Sequence, residues 1–315
     1  MKLYILGNGF DINHGIPCKY PDFYNYLKQN RNDVLEVMEK YYYVDSDSEL
    51  WWKFECNLEE NISYESLVDI IGEYTPNFMS DNFRDGDWYD AQIYIEQDCD
   101  DLLKHIRSGF EDWINSLRIS NLKKKYQLDM TACFITFNYT EVLEKVYGIS
   151  TSNILHIHNK VGEKLVFGHG KRSENFNVKK ALYGDEQAFL YIDEDGNVES
   201  NEVGHEQFAE HAVCAFYDKM RKHTEDILPI QRGFIKRIEN IDEIIILGHS
   251  YNEIDFPYFE EVTNYVTDST KWTLCYFSDE DKQFAEQMVE QLTIQKNLVH
   301  YKHSSEMEQV QIMEW

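Results

Sequence analysis

Short apolar runs alternate along this chain with longer stretches whose apolar residues recur at threes and fours. Leu3-Tyr4-Ile5-Leu6, the run from Cys133 to a polar triplet at Asn138-Tyr139-Thr140, the four consecutive residues Ile244-Ile245-Ile246-Leu247, and residues 272–277 are strand-like. A continuous apolar run of four before a glycine fits a parallel strand buried on both faces. Residues 154–158 and 298–301 supply two further strands, and residues 189–192 with Val198 predict a hairpin turning at Asp195-Gly196. Helical spacing predicts helices from Pro21, over 32–43, over 50–62 (Leu50, Phe54, Leu58), over 89–117, and over 206–237 with a break or kink at Pro229. Residues 256–266 form another, and Ser278 with Asp281 is a capping box for a last helix bearing Phe284, Met288 and Leu292. Strands alternating with helices predict an α/β fold: a Rossmann-like, mostly parallel sheet flanked by helices. A single domain over 1–315 would carry helical insertions at about 20–125 and 205–238.

Polar elbows close the strand-like runs. After the first comes Gly7-Asn8-Gly9-Phe10-Asp11, with Asn13 and His14 in the same loop. Glycines flanking Asn let a backbone approach a ligand and offer N–H groups to an anion, although a tight turn uses them equally well. Asp11 suits a ribose hydroxyl or a helix N-cap. The second elbow follows Thr136 and holds Asn138, with Thr140 placed to cap a short helix over 141–147. His156 and His158 share one face if residues 154–158 form a single strand. Gly168-His169 comes next, and Gly248-His249-Ser250 with Asp255 closes the fourth run. Open α/β sheets bind ligands just beyond the carboxyl ends of their strands, where Asn138, His158 and His169 are expected.

Charge and cysteine content narrow the partners. The formal charge of −27, from 57 acidic against 30 basic residues, repels nucleic-acid backbones, and the basic runs are short. No stretch reaches the ~20 apolar residues that span a bilayer, so no membrane is expected. Six scattered cysteines without a Cys-x-x-Cys pair give neither a zinc ribbon nor a redox motif, and with no export signal they point to reduced thiols and a cytoplasmic location. The paired histidines leave a metal-dependent hydrolase open as a rival, but no further ligands are marked and no metal is expected.

Taken together the elbows resemble the AbiH family of bacterial phage abortive-infection proteins. The pieces that carry the resemblance are Gly7-Asn8-Gly9-Phe10-Asp11 with His14-Gly15, Thr136-Phe137-Asn138-Tyr139-Thr140, His156-Ile157-His158-Asn159, Gly168-His169, and Gly248-His249-Ser250 with Asp255. Trp52 with Phe54-Glu55 is similar to the family's helical-insert motif. The resemblance implies antiviral defence by abortive infection, a phage-derived trigger or defence partner protein, and a homo-oligomer as one open arrangement.

More remotely the pattern is similar to sirtuin-like NAD-binding defence domains. That implies NAD as substrate or ligand, with Asn138 and His158 catalytic. Gly7, Asn8, Gly9, Phe10, Asp11, His14, Thr136, Gly168, His169, Gly248, His249, Ser250 and Asp255 would then bind the nucleotide. Thr140 stands where that pattern has Asp, and Asn159 where it has Gly. These departures keep a nucleotide-binding sensor or scaffold without turnover beside the glycohydrolase reading. The chemistry asks little of an acid: nicotinamide leaves NAD neutral, so the site must position ribose and water and tolerate positive charge. An Asn can orient groups without adding charge, and a His can take a proton near neutral pH.

Overall fold

A computed structural model describes residues 1–51, 54–58, 80–170, 190–192, 198–200, 212 and 214–307. Trp52 and the Asp195-Gly196 turn lie outside these residues. The strands are β1 (Lys2–Leu6), β2 (Cys133–Thr136), β3 (Ile154–His156), β4 (Leu190–Ile192), β5 (Val198–Ser200), β6 (Glu243–Leu247), β7 (Lys271–Tyr276) and β8 (Val299–His303). Six form one all-parallel sheet in the order β3-β2-β1-β6-β7-β8, while β4 and β5 make a separate antiparallel pair. The fold is therefore α/β and Rossmann-like. The chain runs outward from β1 to one edge, then returns across β1 to build the other half. Sheets of this order open their ligand crevice where the direction reverses, here between β1 and β6.

Two compact units divide the chain. The first comprises Met1–Asp22, Glu111–Val166 and the chain from His223 onward. It holds the six-stranded sheet. Every residue of β2, and all but the first of β1 and of β6, is buried, as their unbroken apolar sequence requires of central parallel strands. Against one face pack Ile235 and Ile238, Tyr258, Phe259 and Val262, and Met288 and Val289.

The helices of the chain are α1 (Asn8–Asn13), α2 (Tyr20–Asn30), α3 (Asn32–Met38), α4 (Phe54–Asn57), α5 (Asp90–Ser116), α6 (Thr224–Ile235), α7 (Phe256–Thr263) and α8 (Asp279–Gln291). The Ser278 hydroxyl accepts from the Asp281 N–H while the Asp281 carboxylate accepts from the Ser278 N–H, which is the expected capping box.

The second unit comprises Phe23–Phe110 and Phe167–Lys222. Phe23, Trp51, Phe54 and Phe110 form its aromatic centre, with Trp51 and Phe54 stacked at 5.3 Å. Leu50, Phe54 and Leu58 are each buried, but the helix expected over 50–62 is seen as a 3-10 turn at Glu49–Trp51 and as α4 at Phe54–Asn57, with residues 52–53 and 59–62 outside the described residues.

Four local expectations are corrected. The first elbow is not a loop: α1 begins at Asn8, so Asp11 sits inside a helix and caps nothing. The helix expected over 32–43 ends at Met38. β3 ends at His156, which places His158 beyond the strand. Pro229 does not break the helix, since α6 runs through it; the helical path breaks at 221–223 instead. There the Lys222 N–H donates to the His169 carbonyl at 2.8 Å, and Arg221 bridges His169. Among the described residues no helix is long and apolar enough to cross a membrane.

Candidate functional site

The first and last elbows lock onto each other. Gly7 N–H donates to the Leu247 carbonyl at 3.1 Å and Gly9 N–H to the Gly248 carbonyl at 2.8 Å. A Cβ on Gly7 would stand 2.6 Å from the Gly248 oxygen, and one on Gly248, whose φ is +69°, 2.3 Å from the Phe10 nitrogen. The close approach that glycine permits here is between β1's elbow and β6's elbow.

Two more residues of the first elbow are held by their own surroundings. Asn8 donates through Nδ2 to the Cys18 carbonyl and accepts through Oδ1 from the Cys18 thiol, both at 2.8 Å. His14 Nδ1 faces the Phe10 carbonyl at 2.8 Å and so carries the proton; Nε2 then accepts from the Tyr147 hydroxyl, also at 2.8 Å. That hydroxyl accepts in turn from the N–H groups of Lys125 and Tyr126 at 3.1 Å. Burial lowers the His14 pKa, in keeping with a neutral ring.

Asp11 and Asn138 face each other at the ends of β1 and β2. Asp11 is 2 % exposed, and its Oδ2 accepts from the Thr140 hydroxyl at 2.6 Å. Thr140 is thus turned toward Asp11 and does not cap the following segment, a single π-helical turn over Leu143–Tyr147 that stops at Gly148 with φ +75°. The Asn138 N–H donates to Thr136 Oγ1 at 3.1 Å, which fixes the second elbow. Burial pushes the Asp11 carboxyl up to about 7, against the opposing pull of Thr140, the Asn138 side chain and the His156 charge. Asp11 Oδ1 and Asn138 Oδ1 are both buried and accept no hydrogen bond among the described residues.

The two histidines that alternation would place on one face serve different partners, because the strand ends between them. His156 Nε2 meets Glu144 Oε1 at 3.0 Å and Nδ1 meets the Asn138 carbonyl at 3.2 Å, so this ring props the backbone of Asn138. Lys160 Nζ bridges Glu144 and Glu141 at 3.0 Å each. Burial would raise the Glu144 pKa, but His156 and Lys160 overcome it and hold the carboxyl at about 2.

His158, 3 % exposed, faces Asp255 instead, with Nε2 3.7 Å from Oδ1. His249 Nε2 lies 3.3 Å from the other carboxylate oxygen. The Phe137 ring packs edge-on against both, at 5.5 Å from His158 and 4.6 Å from His249. Ser250 is exposed beside them.

Gly168 and His169 belong to the second unit. There the Gly168 N–H donates to Glu55 Oε1 at 3.3 Å, and the buried Lys222 ammonium donates to Glu55 Oε2 at 3.0 Å. Gly168 has φ +141°, and a Cβ on it would stand 1.8 Å from the Met220 oxygen. The Phe54-Glu55 and Gly168-His169 motifs therefore meet in this unit around Lys222. Sequence reading passed over Lys222 and Glu144, neither of which lies in a motif. Among the described residues no three His, Cys, Asp or Glu side chains gather as a metal centre requires.

The profile of one protein family, described as "Bacteriophage abortive infection AbiH", matches residues 3–276. That span includes all the elbows of the sheet described above. No curated protein and no solved structure matches the chain.

Proposed function

The chain belongs to the AbiH family of bacteriophage abortive-infection proteins, and from that premise we propose that it serves this defence by binding NAD and hydrolysing its nicotinamide–ribose bond at the carboxyl edge of β1, β2 and β6. The observation that carries the reading is the pair of buried acceptors, Asp11 Oδ1 and Asn138 Oδ1. Leaving one buried polar atom without a partner costs roughly 1–3 kcal/mol, so with Asp11 ionised the two facing oxygens favour a ligand that brings donors. Adjacent ribose hydroxyls and a carboxamide NH2 are such donors. The fold supports the same place, since the acceptors lie beside the reversal point of the sheet.

The two departures from the sirtuin-like pattern have local counterparts. Asn159, where that pattern has Gly, has φ +61°, the left-handed conformation that glycine adopts freely and Asn tolerates. Thr140, where it has Asp, brings the Asp11 carboxylate within 2.6 Å of its hydroxyl. In the proposed step the bond from ribose C1′ to the pyridinium nitrogen breaks and its electron pair leaves with nicotinamide. A water oxygen adds to C1′ and its proton passes to His158. Asn138, propped by His156, orients the substrate; Asp11, when ionised, favours the cationic transition state.

Incubation of the purified protein with NAD, followed by mass spectrometry for nicotinamide and ADP-ribose, tests this directly. Turnover lost in both Asn138→Ala and His158→Ala is expected; turnover that survives in both removes these residues from the chemistry. A second reading, a sensor that binds a nucleotide without cleaving it, is favoured by the same acceptors, which ask only for a bound ligand. Nucleotide retained through purification with no product would select it. A phage component or a partner protein of the defence system would then act as the trigger.

A further inference from the structure

We propose that Asp255 is a positioning residue for His158, and that His249 serves Asp255 and makes no contact with the nucleotide. The inference rests on the reading of His158 as proton acceptor, and it changes the part played by two residues that the sirtuin-like resemblance would assign to nucleotide binding.

The chain of contacts fixes protons in one direction. The Tyr251 N–H donates to His249 Nδ1 at 2.8 Å, so this nitrogen is an acceptor. Neutral His249 must then carry its proton on Nε2, which lies 3.3 Å from Asp255 Oδ2. Tyr251 reaches this arrangement with φ +56°, a conformation unusual for a bulky residue and retained only where surrounding contacts impose it. Asp255 stands at the N-cap of α7 but its side chain makes no capping hydrogen bond, and the carboxylate faces the two histidines. One carboxylate oxygen is thereby anchored, and the other, Oδ1, faces His158 Nε2 at 3.7 Å. That separation is an ion-pair contact a few tenths of an ångström longer than a hydrogen bond, as often found before substrate draws a site together.

A carboxylate in this position does two things for an imidazole. It selects the tautomer with the proton on Nε2, and it stabilises the imidazolium formed when the ring takes a proton. Other ionisable groups against His158 include Tyr139 and Tyr258, with ring centroids at 6.0 Å each, and His249 across the Phe137 ring. Asp255 is an acidic group in ion-pair contact with His158, so its removal should change how the ring titrates.

The test is a pH titration of histidine ring nitrogens by NMR in 15N-histidine-labelled protein, with NAD turnover measured in parallel. Asp255→Asn should lower the His158 midpoint by about one pH unit or more, a tenfold change in basicity. Asp255→Glu should restore most of it. In turnover, Asp255→Asn should lower kcat with little change in KM. A His158 midpoint that does not move in folded Asp255→Asn overturns the proposal. Wild-type spectra supply an arm that needs no variant: neutral His158 and His249 should both be Nε2–H tautomers, and an Nδ1–H tautomer at His158 overturns the proposal as well. If NAD is never cleaved, the glycohydrolase reading fails while the titration still decides whether Asp255 governs His158.

Discussion

Asp11→Asn separates the cost of the buried carboxyl from its use. The Asp11 pKa rises from the ordinary 3.8 to about 7, chiefly through burial. Between those values the folded chain holds a proton that the unfolded chain has released. The stabilisation linked to this proton is complete below pH 3.8 and is lost as pH rises through 7. Three pH units at ~1.36 kcal/mol each amount to about 4 kcal/mol over the whole window, and about 3 kcal/mol between pH 5 and pH 8. Asn keeps an oxygen for the Thr140 hydroxyl but does not titrate. Urea denaturation of wild type and variant, compared at matched pH, should therefore show the variant gaining on wild type by about 3 kcal/mol from pH 5 to pH 8. Groups common to both proteins cancel in this difference, including His14, whose lowered pKa acts in the opposite sense by removing stability as pH falls below about 6.5. A difference that stays flat within about 0.5 kcal/mol across the range would refute the burial account of Asp11. A gain in stability together with loss of NAD-induced thermal shift would mark Asp11 as kept for its ligand.

The other predictions concern packing. Gly248→Ala places a methyl against the backbone of the first elbow at a positive φ, and should cost more than about 3 kcal/mol or abolish soluble expression. Gly15→Ala, also at positive φ but with open space around it, should cost only about 1–2 kcal/mol by thermal melt. Tyr147→Phe strips His14 Nε2 and the N–H groups of Lys125 and Tyr126 of their shared hydroxyl, and should cost roughly 1–3 kcal/mol without altering the Asp11-linked pH dependence. In the second unit, Lys222→Met leaves Glu55 without its ammonium partner and should cost about 3–5 kcal/mol; adding Glu55→Gln should recover part of that, which a double-mutant cycle would reveal.

The sheet was legible in the sequence because central parallel strands must be apolar on both faces, and β1, β2 and β6 announce themselves as unbroken runs. The capping box at Ser278 and the long helix α5 were legible for the same reason, since their signals lie within a few residues. The chemistry was legible only as residue types at strand ends. Thr140 reads as an N-cap by spacing, yet a carboxylate far away in sequence claims its hydroxyl. His156 and His158 read as one face because alternation assumes the strand continues, and nothing local reveals that it stops between them. The Asp255 bridge joins three segments whose pairing depends on the finished sheet. Pro229 does not end a helix; the helical path stops earlier, at 221–223, where the backbone pairs with His169, a long-range event.

The central position of β1 sets a schedule for synthesis. Its parallel partners are β2 at Cys133–Thr136 and β6 at Glu243–Leu247, so β1 waits for β6 before it is enclosed on both sides. At ribosomal rates of ~5–20 residues per second, the roughly 240 residues separating β1 from β6 take on the order of ten to fifty seconds to appear. Throughout that interval the elbow at Gly7–Gly9 has no Gly248 to lie against, and Asp255 is not yet made. The carboxyl edge can therefore be assembled only once translation has passed Asp255. A chain terminated before Gly248 carries the first elbow without the backbone it lies against, and without Asp255 for His158 and His249.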